Sequence, residues 1–323
     1  MKKIIPLFLA LLLCGCSGKE PASHASEPAE TVVTVVQETI DPSIEAAAMT
    51  EPPAPAVPVV LEAEAPGTAE TRCEDAVIDH SNTADGYIMV KYLAETDSRL
   101  KVLVQGPTTR YSYNLPVGEW TVFPLSDGSG SYQVGVYINV TGKKYATVLV
   151  ADFEVALEDE FAPFLRPNQY VNYSEATAAV AQGLEITNGI DDPLHKVAAV
   201  YDYVVSALRY DNERAETVQS GYLPDLDQVL EEKKGICFDY AALMTAMLRS
   251  QEIPCKLVVG YAGSTYHAWI SVWTEESGWI DGAIFFDGSV WHRMDPTFAS
   301  SSGGDEAILD FIQNGNYTVK YLY

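Results

Sequence analysis

From Ser17 to about Glu70 the chain is made largely of Ala, Glu, Pro, Thr and Val, with Pro28, Pro42, Pro52, Pro53, Pro55, Pro58 and Pro66 spread through it and Lys19 as the only lysine or arginine. A stretch of this kind has no periodic apolar face, so burial cannot repay the entropy of ordering it. The composition predicts a disordered tether over 17–70, stiffened and extended by its prolines. Ahead of it stand Met1, two lysines, an apolar run from Ile4 to Leu13 and then Cys14-Gly15-Cys16. A positive start followed by a short greasy core is an export signal, here 1–16, and takes no part in the fold. Its apolar run is far short of the ~20 residues that span a bilayer. Folding is thereby confined to the remaining residues, about 250 in number, which suits two domains.

The formal charge of the 323 residues is -25, and removal of Lys2 and Lys3 with the signal takes it to about -27. A surface this acidic repels nucleic acid, which excludes DNA and RNA as partners. No cysteine array, HExxH or glycine-rich phosphate loop is present, so neither a metal nor a cofactor site is expected. The Leu13-Cys14-Gly15-Cys16 ending resembles the lipobox of bacterial lipoproteins. That resemblance implies a Cys16 lipidated as the first mature residue, and a protein exported and anchored to the outer face of a bacterial cell membrane. Three cysteines then remain, Cys73, Cys237 and Cys255, and an odd count leaves at least one thiol free or paired between chains. A Cys73 to Cys255 bridge is one option. A buried, unpaired Cys255 between Ile253-Pro254 and Leu257-Val258-Val259 is the more ordinary one.

Over 71–160 the apolar pattern is that of short strands. Tyr87 to Tyr92, Lys101 to Gln105, Tyr132 to Ile138 and Tyr145 to Phe153 are the clearest, and Ser126-Asp127-Gly128-Ser129-Gly130 is a turn cluster. This spacing predicts a small β-sandwich. Tyr111 and Tyr113 alternate as cross-strand packing does. Phe161 to Pro167 reads as a hinge, in which two prolines interrupt regular structure and the aromatics pin the segment to a neighbour; with a short helix from Tyr173 to Gly183 capped by Ser174, it makes 161–190 a linker.

The catalytic candidates lie in 191–323. Asp192-Pro193 starts a helix, the aspartate accepting from exposed amides and the proline occupying the first turn. Val197, Val200, Tyr201, Val204, Val205 and Leu208 give that helix its apolar face. Polar residues to Ser220 read as a loop, and Leu226, Val229 and Leu230 as a second, shorter stripe. Gly235 leaves room for a tight turn before Cys237, and Ala241 to Arg249 is helical by composition. Cys237 thus falls in a first helical turn, where unpaired amides and the axial dipole favour a thiolate. Asp239 is read first as a cap of the same turn, with binding of a basic partner as the alternative. Tyr266 to Val272 alternates as a strand, with His267, Trp269 and Ser271 on one face. A histidine aimed at a thiol can take its proton and return it to a leaving amine. Asp295, fixed by Pro296, can hold the imidazole tautomer and favour the imidazolium.

Five segments carry a family resemblance: Gly235-Ile236-Cys237-Phe238-Asp239-Tyr240-Ala241, Leu248 to Pro254, Gly260-Tyr261, His267-Ala268-Trp269 and Met294-Asp295-Pro296-Thr297. In this order they resemble the successive motifs of the transglutaminase-like superfamily, over about Asp191 to Phe298. The resemblance implies an α+β fold, with a papain-like core of helices on an antiparallel sheet following the β-sandwich. It further implies acyl transfer through a thioester, with Cys237 as nucleophile, His267 as general base and acid, and Asp295 as orienter. Tyr222 is the candidate side-chain donor for the oxyanion, since the family often carries an aromatic or polar donor upstream. Trp269 and Trp291 are candidates for flanking the cleft. The expected function is a cell-surface cysteine protease or amidase acting on a peptide, protein or amine-bearing envelope substrate. Protein crosslinking is the alternative within that chemistry, and a non-catalytic surface binding or scaffold protein the alternative outside it.

Overall fold

The computed structural model describes residues 57–281, 284–286, 291–293 and 316–323, with backbone alone for 284–286 and 291–293. The signal segment, Cys16, the tether up to 56 and Asp295 lie outside the described residues, as does the side chain of Trp291.

Eight strands make the first half: β1 (Glu70–Arg72), β2 (Ala76–Asp79), β3 (Tyr87–Tyr92), β4 (Leu100–Gln105), β5 (Arg110–Leu115), β6 (Thr121–Pro124), β7 (Gly130–Thr141) and β8 (Lys144–Val155). They form two four-stranded antiparallel sheets, ordered β1-β2-β3-β6 and β5-β4-β7-β8. Leu100, Val102 and Val104 of β4 are buried while the residues between them are only partly so, the period of a strand with one face inward. Ile78, Ile88 and Phe123 of the first sheet share a core with Val102, Tyr113 and Val134 of the second, and Tyr113 meets Phe123 edge-on at 5.0 Å. This is the expected sandwich. Tyr111 and Tyr113 are buried in it, as cross-strand packing requires.

Helices and a further sheet follow. They comprise α1 (Ala178–Ile186), α2 (Pro193–Ala207), β9 (Arg209–Tyr210), α3 (Asn212–Thr217), α4 (Leu226–Glu232), β10 (Lys234–Gly235) and α5 (Cys237–Arg249), then β11 (Cys255–Ala262), β12 (Thr265–Thr274), β13 (Gly278–Asp281), β14 (Ile284–Phe286), β15 (Trp291–Arg293) and β16 (Tyr317–Leu322). The main sheet is antiparallel in the order β13-β12-β11-β16. α5 packs on β11 and β12 and is flanked by α1, α2 and α4. Every residue of α5 from Asp239 to Arg249 is buried, so it is enclosed on all sides. The expected α+β arrangement, a sandwich preceding helices on an antiparallel sheet, is what the chain forms.

Three local expectations change. The tether read as reaching residue 70 is laid on the body from Val57 onward: Val59 N–H donates to Ser250 O at 2.8 Å, Gly67 N–H to Asp79 Oδ2 at 2.7 Å and Ala69 N–H to Ser81 Oγ at 2.9 Å. Backbone polar groups find partners there, and Val60 packs on the core, which composition alone does not reveal. The helix expected over Tyr173 to Gly183 is instead α1, with Thr177 at its N-cap, because Ser174 N–H donates to Thr177 Oγ1 while Ala178 N–H is capped by Asp227 Oδ1 of α4 at 2.8 Å. The polar stretch before Ser220, read as loop, contains α3, capped by the Asp211 carboxylate on Arg214 N–H at 2.9 Å. α2 starts where expected, with Asp192 Oδ1 accepting from His195 N–H at 2.8 Å.

The segment joining the halves is held at several points. Phe161 lies 4.4 Å from Trp273 and 5.9 Å from Trp279 between ring centroids, and Phe164 lies 5.5 Å from Trp279. Lys256 Nζ stands 3.4 Å from the Trp279 ring centroid, a cation–π contact. Arg249, at the end of α5, is 1% exposed. Its guanidinium donates to Cys255 O at 2.9 Å, Arg166 O at 2.6 Å and Tyr323 O at 2.6 Å. One side chain therefore gathers the linker, β11 and the residue after β16 around the base of α5. The fork of a guanidinium suits this, since its donors diverge in a plane.

Cys73 and Cys255 are both free. Cys255 is fully buried, its thiol pushed up to about 11 by desolvation, and donates to Thr245 Oγ1 at 3.5 Å. No bridge joins them, and the option of a buried single thiol is the one the fold takes.

Candidate active site

Cys237 is the first residue of α5, with Ile236 in extended conformation at the N-cap. Its neighbours explain the placement. Gly235 admits Asp239 at close range: a Cβ at Gly235 would stand 2.7 Å from Asp239 Cβ, so a side chain there would displace the turn. Asp239 Oδ2 accepts the Ile236 N–H at 2.8 Å, the capping role expected of it, and ties off one amide of the helix start. Cys237 is half-buried.

His267 is on β12, opposite Gly260 of β11. At Gly260 the sheet is bulged between β11 and β16, and a Cβ there would come within 2.0 Å of Thr318 O. Only glycine allows that approach, and the close strand crossing fixes the β12 position that carries the histidine. Alternation puts His267 with Trp269 and Ser271, while Ala268, Ile270 and Val272 join the core under α5. The ring is 4% exposed and stacks beside Trp269 at 6.2 Å between centroids.

Cys237 and His267 line one cleft of about 670 Å³. Tyr222, Phe238, Tyr266 and Tyr323 contribute to its walls, and so do Tyr170 of the linker and Ser112 of β5, so the sandwich side of the molecule forms part of the rim. Tyr170 holds that rim in place: its hydroxyl donates to Ser112 O at 3.2 Å and its ring lies 4.3 Å from Tyr323 and 5.6 Å from Phe238. Burial, with Tyr266 and Tyr321 nearby, pushes the Tyr170 phenol up to about 12 against the lowering effect of its bond with Tyr323. Tyr266 is likewise raised, by desolvation first, then by Tyr321, Tyr261 and Cys237 nearby. These phenols stay neutral and serve as hydrogen-bonding aromatic walls.

Two expected roles change. Tyr222 lines the cleft, yet its hydroxyl donates its one proton to Asp239 Oδ1 at 2.7 Å, so no proton is left for an oxyanion. The hydroxyl also accepts from Arg214 Nη1 at 3.4 Å, and burial followed by the Asp239 bond raises its pKa. Trp269 does not flank the cleft: it is 3% exposed and packs edge-on against Tyr317 at 5.2 Å. A large apolar ring on a strand crossed this closely is held inside by its neighbours. The structure brings Cys237, His267 and Tyr222 to one cavity; Asp295 and the Trp291 ring lie outside the described residues.

Sequence reasoning missed Arg214, Tyr170, Tyr323 and Ser112. Nothing in local spacing marks them, because each reaches the cleft through a contact between distant segments.

Comparison with known proteins places this geometry. Residues 180–282 match the model of the Transglutaminase-like superfamily. The chain is 31% identical over 117 residues to the uncharacterized protein YebA of Bacillus subtilis, covering 30% of this chain and 16% of that protein. It is 31% identical over 68 residues to a protein-glutamine gamma-glutamyltransferase of Pseudomonas aeruginosa, covering 17% of this chain and 10% of that one. The chain thus spans well under half the length of these curated relatives. Among solved structures, the periplasmic domain of TgpA from Pseudomonas aeruginosa aligns with a TM-score of 0.32 and 14% identity, covering 76% of this chain and 100% of that one. Residues 180–282, which hold α5 and β12 with Cys237 and His267, are the part of the chain that is similar to the Transglutaminase-like superfamily.

Proposed function

We propose that the protein is an exported cysteine acyl-transfer enzyme that hydrolyses peptide or amide bonds in the cell envelope through a thioester. The observation that carries this reading is the shared cleft: a half-buried thiol at a helix start and a nearly enclosed imidazole line the same cavity. Sulfur attacks the acyl carbonyl as His267 takes the thiol proton, giving a tetrahedral oxyanion. Collapse breaks the C–N bond, His267 returns the proton to the leaving ammonia or amine, and the acyl group stays on sulfur. Water, deprotonated by the same imidazole, then releases the acid and restores the thiol. With the Tyr222 proton committed to Asp239, the Cys237 backbone N–H is the donor best placed for the oxyanion. Asp295 is the proposed orienter of His267, and Cys16 the proposed site of lipid attachment.

A second reading, capture of the acyl group by a protein amine, is favoured by the similarity to a protein-glutamine gamma-glutamyltransferase. Both readings are tested by incubating envelope proteins and wall peptides with the full chain or with Cys237→Ala, in the presence of a labelled primary amine, and weighing the products. Loss of mass, or deamidation, that depends on Cys237 supports hydrolysis; label incorporation supports crosslinking. The variant should lose activity by about 10⁴-fold or more, as nucleophile removal does in related catalytic units. Identical product profiles for the two proteins would leave the chain as a binding module.

A further inference from the structure

Beneath the cleft, a cluster of charged groups converges on the start of α5. Asp239 is fully enclosed at 0% exposure. Its Oδ2 caps Ile236 and lies 3.6 Å from Arg214 Nη1, while its Oδ1 accepts from Tyr222. Arg214 comes from α3 and is held by three carboxylates: Asp239, Glu232 Oε2 of α4 at 3.2 Å and Asp211 Oδ2 at 3.7 Å. Lys234 Nζ of β10 closes the group on Asp211 Oδ1 at 3.0 Å. The titratable groups around the nucleophile are therefore Asp239 on its own helix, Arg214, Asp211, Glu232 and Lys234 below it, and Tyr170, Tyr210, Tyr222, Tyr266, His267, Tyr321 and Tyr323 in the cleft.

The placement of Asp239 is a physical conflict. A carboxylate two residues after Cys237 is good for the helix start, whose unpaired amides and dipole favour negative charge. A thiolate at Cys237 draws on the same amides and dipole, and a like charge this near opposes it. An enclosed carboxylate left alone would therefore anchor the helix at the cost of the nucleophile. Arg214 resolves the conflict: its guanidinium, 22% exposed, sets a positive charge 3.6 Å from the Asp239 carboxylate. Tyr222 completes the arrangement by taking up the other carboxylate oxygen, which also holds the cleft wall to the helix.

On the reading of Cys237 as nucleophile, we infer that the Arg214–Asp239 pair is a positioning device that sets the ionisation of the cysteine, with Tyr222 as the strut that ties the pair to the cleft. Asp239 fixes the turn and Arg214 keeps its charge from suppressing the thiolate. Neither touches substrate.

The test uses the full chain and no substrate: the rate of Cys237 alkylation by iodoacetamide as a function of pH, resolved by mass spectrometry from Cys14, Cys16, the free Cys73 and the buried Cys255. Arg214→Met should move the midpoint upward and slow labelling at neutral pH by about tenfold, since one unit of thiol pKa is one decade of thiolate. Arg214→Lys should restore most of the rate. Asp239→Asn, which leaves the cation without its partner, should move the midpoint the opposite way, and thermal melts identify any variant that has failed to fold. Tyr222→Phe should leave the midpoint within a few tenths of a unit of the parent. A general loosening of the fold cannot give shifts of opposite sign, so midpoints that move together, or not at all in folded Arg214→Met and Asp239→Asn, overturn the inference. Because alkylation reads only the thiol, a negative envelope screen with opposite shifts would sink the acyl-transfer reading and spare the pair; a positive screen without the shifts would do the reverse.

Discussion

The sandwich and the helical half bury side chains of different kinds. Between its sheets the first half encloses apolar side chains such as Ile78, Ile88, Val102 and Val134, and its buried polar groups Asp79 and Ser126 sit at strand ends or turns. The second half buries Asp239, Thr245, Arg249, Ser250, His267 and Ser271 among its central elements. In the first half stability comes from area removed from water, which tolerates changes of similar volume. In the second it depends on named donors meeting named acceptors, because an enclosed polar group without a partner is costly. The half that holds the candidate site is the half whose interior residues are hardest to exchange.

That contrast can be broken or sharpened by three substitutions. Arg249→Met should have the largest effect. It removes three charge-assisted bonds to backbone oxygens, each worth roughly 1.5–3 kcal/mol though not additively, so urea unfolding should show a loss of about 4 kcal/mol. Cys237 labelling in the surviving folded fraction should also change, since α5 loses its anchor. A loss under about 1 kcal/mol would mean that the polar interior is as exchangeable as the apolar one. Ile78→Ala comes next, at about 3 kcal/mol for a fully buried isoleucine, but with the labelling rate per folded molecule unchanged. A change in that rate would deny that the two halves divide stability and chemistry between them. The smallest effect is Asp192→Ala, which removes the α2 cap at about 1 kcal/mol. Its pH dependence has a definite sign. The His195 N–H bond, ahead of the other contacts, holds the Asp192 carboxyl below its usual range. A lowered folded pKa means that the cap's stabilisation is fully present above the unfolded value near 4 and is lost as pH falls through the lower folded one. The parent and variant melting curves should therefore converge in acid and separate above about pH 4; a constant gap would assign the effect to helix propensity alone.

What could be read from the sequence follows the same division. The strands of the sandwich were legible because alternation is local: Tyr87 to Tyr92 and the run before Gly106 match β3 and β4 closely. α5 and the place of Cys237 at its start were legible from Gly235 and the alanine, leucine and methionine that follow, and the place of His267 on β12 from strand parity. α1 was misplaced because its first amide is capped by Asp227, 49 residues further on, and α3 was missed because it buries no side chain. Arg214 carried no local signal either: its partners come from α3's own cap, from α4 and from α5, and only the assembled fold makes them neighbours. The commitment of the Tyr222 proton is of the same sort, set by a carboxylate 17 residues away.

Val59 is hydrogen-bonded to Ser250, one residue beyond the helix that bears Cys237, and Val60 is packed beside it. The chain is therefore fastened to the tail of the helix that begins with Cys237 before it enters any strand of the sandwich.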